Sequence, residues 1–502
     1  MMHFVPALSD VALAIHQFSL RIQLYKVSAA VLLSVLTAYL VTAGLWPVAV
    51  GLLLAFPGFV LLNKYPLFGL LVWLVAVQFL MNTESSALRM VYWVLHRMLP
   101  PITVIVIVLC SWLKIDDRKL ARLSWPELAM LGYLVVTQFS IAYLASNLMG
   151  TTYWLYDRVF VPMCLYLIVR LLSPTEADVQ RIVPAALFVV GVQAFIGNLS
   201  WVVPSAVPSM WMGMHAGSRT TGTLINPVIY TSTLSFCSLL VLHAGLTRAR
   251  GLVRTLYIAT FLVAQYCIFI SFTRSSWLGG LVGIAGVTYL HPKFMVRMVL
   301  VCMLIAGVAG GIFSQQLSQA SERMNSEESE ESALSRLPIY YASIQMFRAK
   351  PLFGWGYSNF DRYDRDFQAR VADLVNPAKD HASHNLYLTI LAEQGLSGFL
   401  LYMTPFFWWL FHTVRLWSRM PRDGFWSRKL VIVLWLVAAH FVIVNNFFNM
   451  IIVYSLGIWW ITLGMIGALL TRFERESQAD DRNPFALTAR RYAAHHALLG
   501  QP

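Results

Sequence analysis

The stretch HASHNLYLTILAEQGLSGFLLY, residues 381–402, opens as a polar loop with two histidines and closes inside an apolar run. It passes from water into hydrocarbon within a few turns, yet it places Glu393 and Gln394 before the passage is complete. A helix over 386–413 would be about 42 Å long, more than an upright crossing of about 30 Å requires. Two geometries accommodate the excess. Either the helix protrudes above the outer surface, or 385–394 is a separate interfacial helix and the descent starts at Gly395. Both leave His384 at the outer rim.

The remainder of the chain sets that stretch in a membrane. Of its 502 residues, 58% are hydrophobic and 12% charged, more apolar surface than one soluble core can hide. Runs of about 17–25 apolar residues, the length of a crossing, fall at 28–44, 46–62, 66–82, 91–112, 127–146, 154–172, 182–203, 228–246, 252–271, 275–290, 296–313, 386–413, 430–447 and 451–471. The fold class is all-α, a polytopic transmembrane helix bundle of about 12–14 spans. Ahead of them, Leu8, Val11, Ile15, Phe18 and Ile22 have the spacing of an interfacial helix, and no cleavable signal is read there.

Lys and Arg collect in 113–126, 244–255, 291–297 and 414–429, all on one side by this count, which makes that side cytoplasmic. The formal charge of +13 then reflects topology and contact with anionic membrane lipids; nucleic acid is not called for. The five cysteines lie in or at the ends of spans and read as small packing residues. The expected division is an interfacial segment 1–27, a bundle 28–313, an outer loop 314–385 with amphipathic cap helices, C-terminal spans in 386–471 and a cytoplasmic tail 472–502.

The outer loop begins acidic and serine-rich, and two helical patterns follow. Leu334, Leu337, Tyr341, Ile344 and Phe347 share one face; Phe360, Tyr363, Phe367, Val371 and Leu374 share another. Ser358 and Asp361 suggest a cap for the second helix. Between them, AKPLFGWGYSNF turns the chain at Pro351, Gly354 and Gly356, with Leu352, Phe353 and Trp355 placed to dip into the membrane surface.

Four arginines stand at outer ends against the positive-inside bias: Arg158, Arg219, Arg274 and Arg336. Each alone is also explained by snorkelling or by an ion pair, as Arg158 is with Asp157. Together they suit an anion such as the diphosphate of a membrane lipid, since guanidinium forks match phosphate oxygens. His384 has the chemistry of a general base and Asn385 that of a substrate-orienting group. The alternatives are a capping histidine, or a metal pair of His381 and His384 with Asp380, which lacks further ligands. No glycine-rich nucleotide loop is present.

The order GTLINP (222–227) after Arg219, TRSSWLG (273–279), Arg336 ahead of KPLFGWGYSNF (350–360), and SHNLYLTILAEQGLSGFLLY (383–402) resembles the superfamily of O-antigen ligases and O-antigen polymerases, over about residues 185–470. The chain departs from that pattern at Val228 and Thr273. The resemblance implies a glycosyltransferase of the bacterial inner membrane, acting on the periplasmic side without metal or cofactor. Its donor would be a polyprenyl-diphosphate-linked oligosaccharide, and its acceptor a glycan or a lipid-linked sugar. By position His384 would be the catalytic histidine, Arg219 and Arg274 the diphosphate-binding arginines and Arg336 the loop arginine. Arg158 and a substrate-orienting His381 are added without a motif.

The expected activity is polymerisation of exopolysaccharide or O-antigen repeats, in company with other polysaccharide assembly proteins. The alternatives are a ligase that transfers the finished glycan to lipid A core or another acceptor, and a transporter or flippase of the same lipid-linked sugars. The transporter would show polar groups through the depth of the bundle and an internal repeat; neither is evident in the sequence.

Overall fold

The computed structural model describes residues 31–482 apart from 33, 116–117, 213–218, 369–382, 449–451 and most of 309–335. Every regular element among the described residues is helical. The chain divides into two units, Met1–Tyr65 and Pro66–Pro502. The first contains a helical stretch at 34–42 and α1 (Trp46–Lys64).

The second unit contains α2 (Leu67–Leu80), α3 (Ser86–Trp112), α4 (Trp125–Leu144), α5 (148–172), α6 (Glu176–Val202), α7 (Pro227–Thr247), α8 (Gly251–Phe269), α9 (Arg274–Leu290) and α10 (Pro292–Val308). After residues 309–335 come α11 (Arg336–Ala349), α12 (Phe360–Gln368), α13 (Leu386–Leu416), α14 (Arg428–Asn445) and α15 (Val453–Arg482). Among the described residues eight helices are long and apolar enough to cross a membrane: α3, α4, α6, α7, α8, α13, α14 and α15. The spans expected at 275–290 and 296–313 form α9 and α10, 17 residues each. The last helix continues to Arg482, past the expected end at 471, with Arg472 bonded to Glu476 one turn on at 2.9 Å. The N-terminal interfacial pattern and residues 483–502 lie outside the described residues.

At the centre stand α7 and α15, whose apolar windows are wholly buried. The hydroxyls of α7 are accommodated because Thr231, Ser232 and Thr233 donate to carbonyls one turn back. Close packing on α15 depends on glycine: a Cβ at Gly457 would stand 2.1 Å from the Trp73 ring. Below these, Arg170 and Glu127 form a buried ion pair at 2.9 Å, joined by the Tyr166 hydroxyl at 2.7 Å.

Short connections make successive helices antiparallel. The basic loops 113–124, 248–250 and 417–427 therefore share one end of the second unit. The loops 81–85, 145–147, 203–226, 270–273 and 446–452 share the other, here termed the rim, together with α11, α12 and the start of α13.

Candidate functional site

The opening stretch breaks at Gly395, where the second of its two expected geometries starts the descent. Gly395 has φ 63 and ψ −163, and it breaks α13 into 386–394 and a longer arm. The loop from α11 docks in the break: Trp355 and Gly356 donate backbone N–H groups to Ala392 and Glu393 carbonyls at 3.0 and 2.7 Å. Leu396 and Ser397 donate to Pro351 and Leu352 at 2.8 and 3.1 Å. Two glycines permit this contact, since a Cβ on Gly354 would lie 2.4 Å from the Glu393 carbonyl carbon and one on Gly395 the same distance from that of Leu352.

Glu393 is buried, and its Oε1 accepts the Phe360 N–H at 3.1 Å, capping the positive N-terminus of α12. Ser358, expected together with Asp361 to cap this helix, has φ 61. Gln394 is held by Tyr133 and Thr137, each at 2.7 Å.

The cap helices differ from expectation in one respect. On α11 the buried side is Ile339, Ala342 and Met346, which pack with Phe360, Phe367 and Ala392; the expected face of Leu337, Tyr341 and Ile344 is exposed. Leu334, Val371 and Leu374 lie outside the described residues. Leu352 and Phe353 are exposed as expected, whereas Trp355 packs on Tyr363 and Phe367 and donates its indole N–H to Met346 at 2.9 Å.

His384 immediately precedes the first half of α13, half-buried, in the left-handed region at φ 48. The helix is capped by its neighbour: Asn385 Oδ1 accepts the Tyr387 and Leu388 N–H groups, each at 3.0 Å. Asn385 Nδ2 donates to the Asn446 carbonyl at 3.1 Å. The Asn385 amide, expected to meet substrate, is thus engaged at both ends in holding the loop that carries His384. Ser383 and Thr389 share a hydroxyl hydrogen bond beneath it. His381 and Asp380 lie outside the described residues. Among the described residues no three His, Cys, Asp or Glu side chains are grouped to hold a metal ion.

Arg336 is the first residue of α11, and Tyr340 one turn later ties that helix to the histidine's loop. The Tyr340 hydroxyl stands 3.4 Å from the His384 carbonyl and 3.2 Å from that of Asn446. Burial raises the pKa of this phenol, against the influence of the nearby Arg336 charge.

Arg274 is exposed at the first position of α9. Helices α9 and α14 pack together, with His440 seated against Gly279. From that level Arg274 is five residues toward the rim and Asn446 six, about 7.5 and 9 Å at helical rise. The two residues stand level, so Arg274 and the His384 loop occupy the same layer. Arg219 is half-buried at the head of a loop on this rim. Its motif GTLINP forms a 3-10 turn at Gly222–Leu224 and then the Asn226 cap of α7. Thr223 is fixed by Gln193 and the Gln78 carbonyl at 2.7 and 3.0 Å. Thr231 on α7 meets Ser276 on α9 at 2.6 Å, so the loop of Arg219 and the start of α9 share one end.

Beside this loop, α6 and α8 leave an apolar groove of about 570 Å3 lined by Ala194, Asn198, Val202, Ala259 and Val263 among others. Asn198 in its wall donates to Cys267 at 3.4 Å.

Arg158 lies elsewhere. It stacks on Trp154 at 4.7 Å and is within electrostatic reach of Glu393 and Tyr357, at the far end of the 386–394 helix. Asp157, its expected partner, instead pairs with Arg97 at 2.5 Å and with His96 at 3.3 Å. Sequence reading missed Arg97, His96, Gln78, Gln193, Tyr340 and Asn446. The available signal was an ionisable or amide side chain inside an apolar run.

Residues 258–403 match the family model described as O-antigen ligase, Wzy_C. The match bears out the resemblance to O-antigen ligases and polymerases and supports a glycan ligase or polymerase type of activity. It takes in Arg274, Arg336, His384, Asn385 and the break at Gly395, and it leaves out Arg158 and Arg219. None of the curated proteins compared with the chain matches it.

Proposed function

We propose that the protein is a glycosyltransferase of the bacterial inner membrane that polymerises lipid-linked repeats on the periplasmic side. An acceptor sugar hydroxyl attacks the anomeric carbon of a glycan held on a polyprenyl diphosphate. The new C–O bond forms as the bond to the diphosphate breaks, the diphosphate leaves with the electron pair, and the hydroxyl proton passes to His384. Arg274, Arg219 and Arg336 stabilise the negative charge that grows on the leaving group. A diphosphate departs without the protonating carboxylic acid that glycosidases need. One displacement inverts the anomeric configuration.

What supports the reading is that the His384 loop, the helix α11 that Arg336 begins and the Arg274 end of α9 all lie at one rim, Tyr340 of α11 bonding the His384 and Asn446 carbonyls. The groove between α6 and α8 has the apolar lining an isoprenoid tail requires. The test is transfer by purified protein in lipid nanodiscs supplied with lipid-linked oligosaccharides. His384→Ala should lower the rate by about 10²–10⁴-fold while elution and melting stay unchanged; undiminished transfer would remove the histidine from the chemistry. Accumulation of chains longer than one repeat on the carrier identifies a polymerase, and passage of a finished chain to lipid A core identifies a ligase.

A further inference from the structure

The second group of charges lies in the outer parts of α3 and α5, in segments that otherwise read as membrane spans. Two π-turns face one another there, Val94–Met98 and Tyr156–Phe160. Proline explains both, since Pro100, Pro101 and Pro162 have no N–H to donate to the carbonyls of His96, Arg97 and Arg158. The widened turns are then stitched together: Arg97 donates through Nε and Nη2 to Asp157 at 2.5 and 3.3 Å, and Tyr156 donates to the Arg97 carbonyl at 2.5 Å. The Trp73 indole holds His96 at 3.1 Å. Ionisable side chains at this depth are costly to place, and π-turns are frequent at functional sites.

Charge matching within the group leaves one cation over. Asp157 is matched by Arg97, and the Glu393 carboxylate by the N-terminus of α12. Among the described residues Arg158 has no carboxylate within ion-pair distance; it is half-buried and rests on Trp154. Arg97 lies 4.9 Å from the Tyr153 ring, and Tyr153 and Trp154 are both exposed. The cluster thus opens on the side of the helices, where lipid would lie. It sits at the Glu393 end of the 386–394 helix, about 12 Å along that helix from His384.

We propose that Arg158, backed by Arg97, binds the diphosphate of a second lipid-linked sugar, the acceptor, so that donor and acceptor headgroups sit at opposite ends of the 386–394 helix. This rests on the assignment of Arg274 and His384 to the donor end. An acceptor gripped by its own phosphate must reach His384 with a distant sugar hydroxyl. The separation of the two ends by one short helix is what a repeat of a few sugars would bridge. A transferase with two lipid-diphosphate sites joins one carrier-bound glycan to another, which is polymerisation.

Native mass spectrometry of the protein in nanodiscs, with undecaprenyl diphosphate as probe, tests the count of sites. The unaltered protein should hold two lipids, Arg158→Ala one, Arg274→Ala one, and the double variant none. Two lipids on Arg158→Ala, or one on the unaltered protein, would overturn the proposal. If Arg274→Ala keeps two while Arg158→Ala loses one, the donor assignment fails and the second site stands. Inorganic pyrophosphate should not displace the lipid at the Arg158 site; displacement at equal concentration would make it a site for free anions and remove the acceptor assignment. In turnover, Arg158→Ala should raise KM for a single-repeat acceptor tenfold or more with KM for the donor unchanged, and Arg158→Lys should restore part of the loss. Arg158→Gln serves as a second variant should alanine fail to fold.

Discussion

Two arginines on α5, Arg158 and Arg170, lie twelve residues apart and have opposite surroundings. Arg170 is 1% exposed, its Nε bonded to Glu127 at 2.9 Å, with Trp409 against its guanidinium. Arg158 is half-buried on an exposed tryptophan, with no carboxylate within ion-pair distance among the described residues. The first closes a packed core; the second presents donors at the surface of the bundle. A buried arginine with its counterion inside the fold is architecture, and one that meets the edge of the bundle without such a counterion can take an anion from outside.

The contrast can be broken most severely at the buried pair. Glu127→Gln leaves Arg170 charged and without its carboxylate inside the bundle, and should destabilise the protein by about 3–5 kcal/mol; a melting temperature within a degree or two of the unaltered protein would deny Arg170 its structural part. At the rim, Arg274→Ala should do the reverse. Transfer should fall about 10²–10³-fold, and the melting curve should hardly move because the side chain is exposed. A stability loss comparable to that of Glu127→Gln would erase the distinction.

Gly395→Ala comes next in size. Its Cβ would fall 2.4 Å from the Leu352 carbonyl carbon at a positive φ, so the 350–356 loop should detach and become susceptible to limited proteolysis near Trp355. Protection equal to that of the unaltered protein would show that the docked loop tolerates the strain. The smallest change is Tyr340→Phe, which removes the hydroxyl between the His384 and Asn446 carbonyls. One such bond contributes about 0.5–1.5 kcal/mol, so transfer should drop by roughly tenfold or less, with no loss of lipid binding. A loss as large as that of His384→Ala would give Tyr340 a chemical part of its own.

The membrane helices were legible because hydropathy is a local quantity: the expected runs coincide with α1 to α10 and α13 to α15 wherever residues are described. The cap was legible only in outline. Helix α11 carries apolar residues on two faces, Ile339, Ala342 and Met346 on one and Leu337, Tyr341 and Ile344 on the other. Spacing reports that each face is apolar, not which of them meets protein. Partners distant in sequence were similarly hidden: Glu393 caps a helix that starts 33 residues earlier, and Arg97 finds Asp157 across 60 residues. The rim residues His384 and Arg274 stood out because a polar or charged group beside an apolar run is conspicuous, and Arg336 through its place ahead of KPLFGWGYSNF. Gln78 and Gln193, neutral and interior, did not.

The main-chain ladder between 351–356 and 392–397 has a mechanical corollary. The cap is riveted to the same short helix that begins beside the histidine, so it cannot swing away as a separate flap. Any tilt of the cap must carry with it the 386–394 helix and the imidazole that precedes it, which under the proposed reaction couples the position of His384 to the entry and exit of a sugar chain.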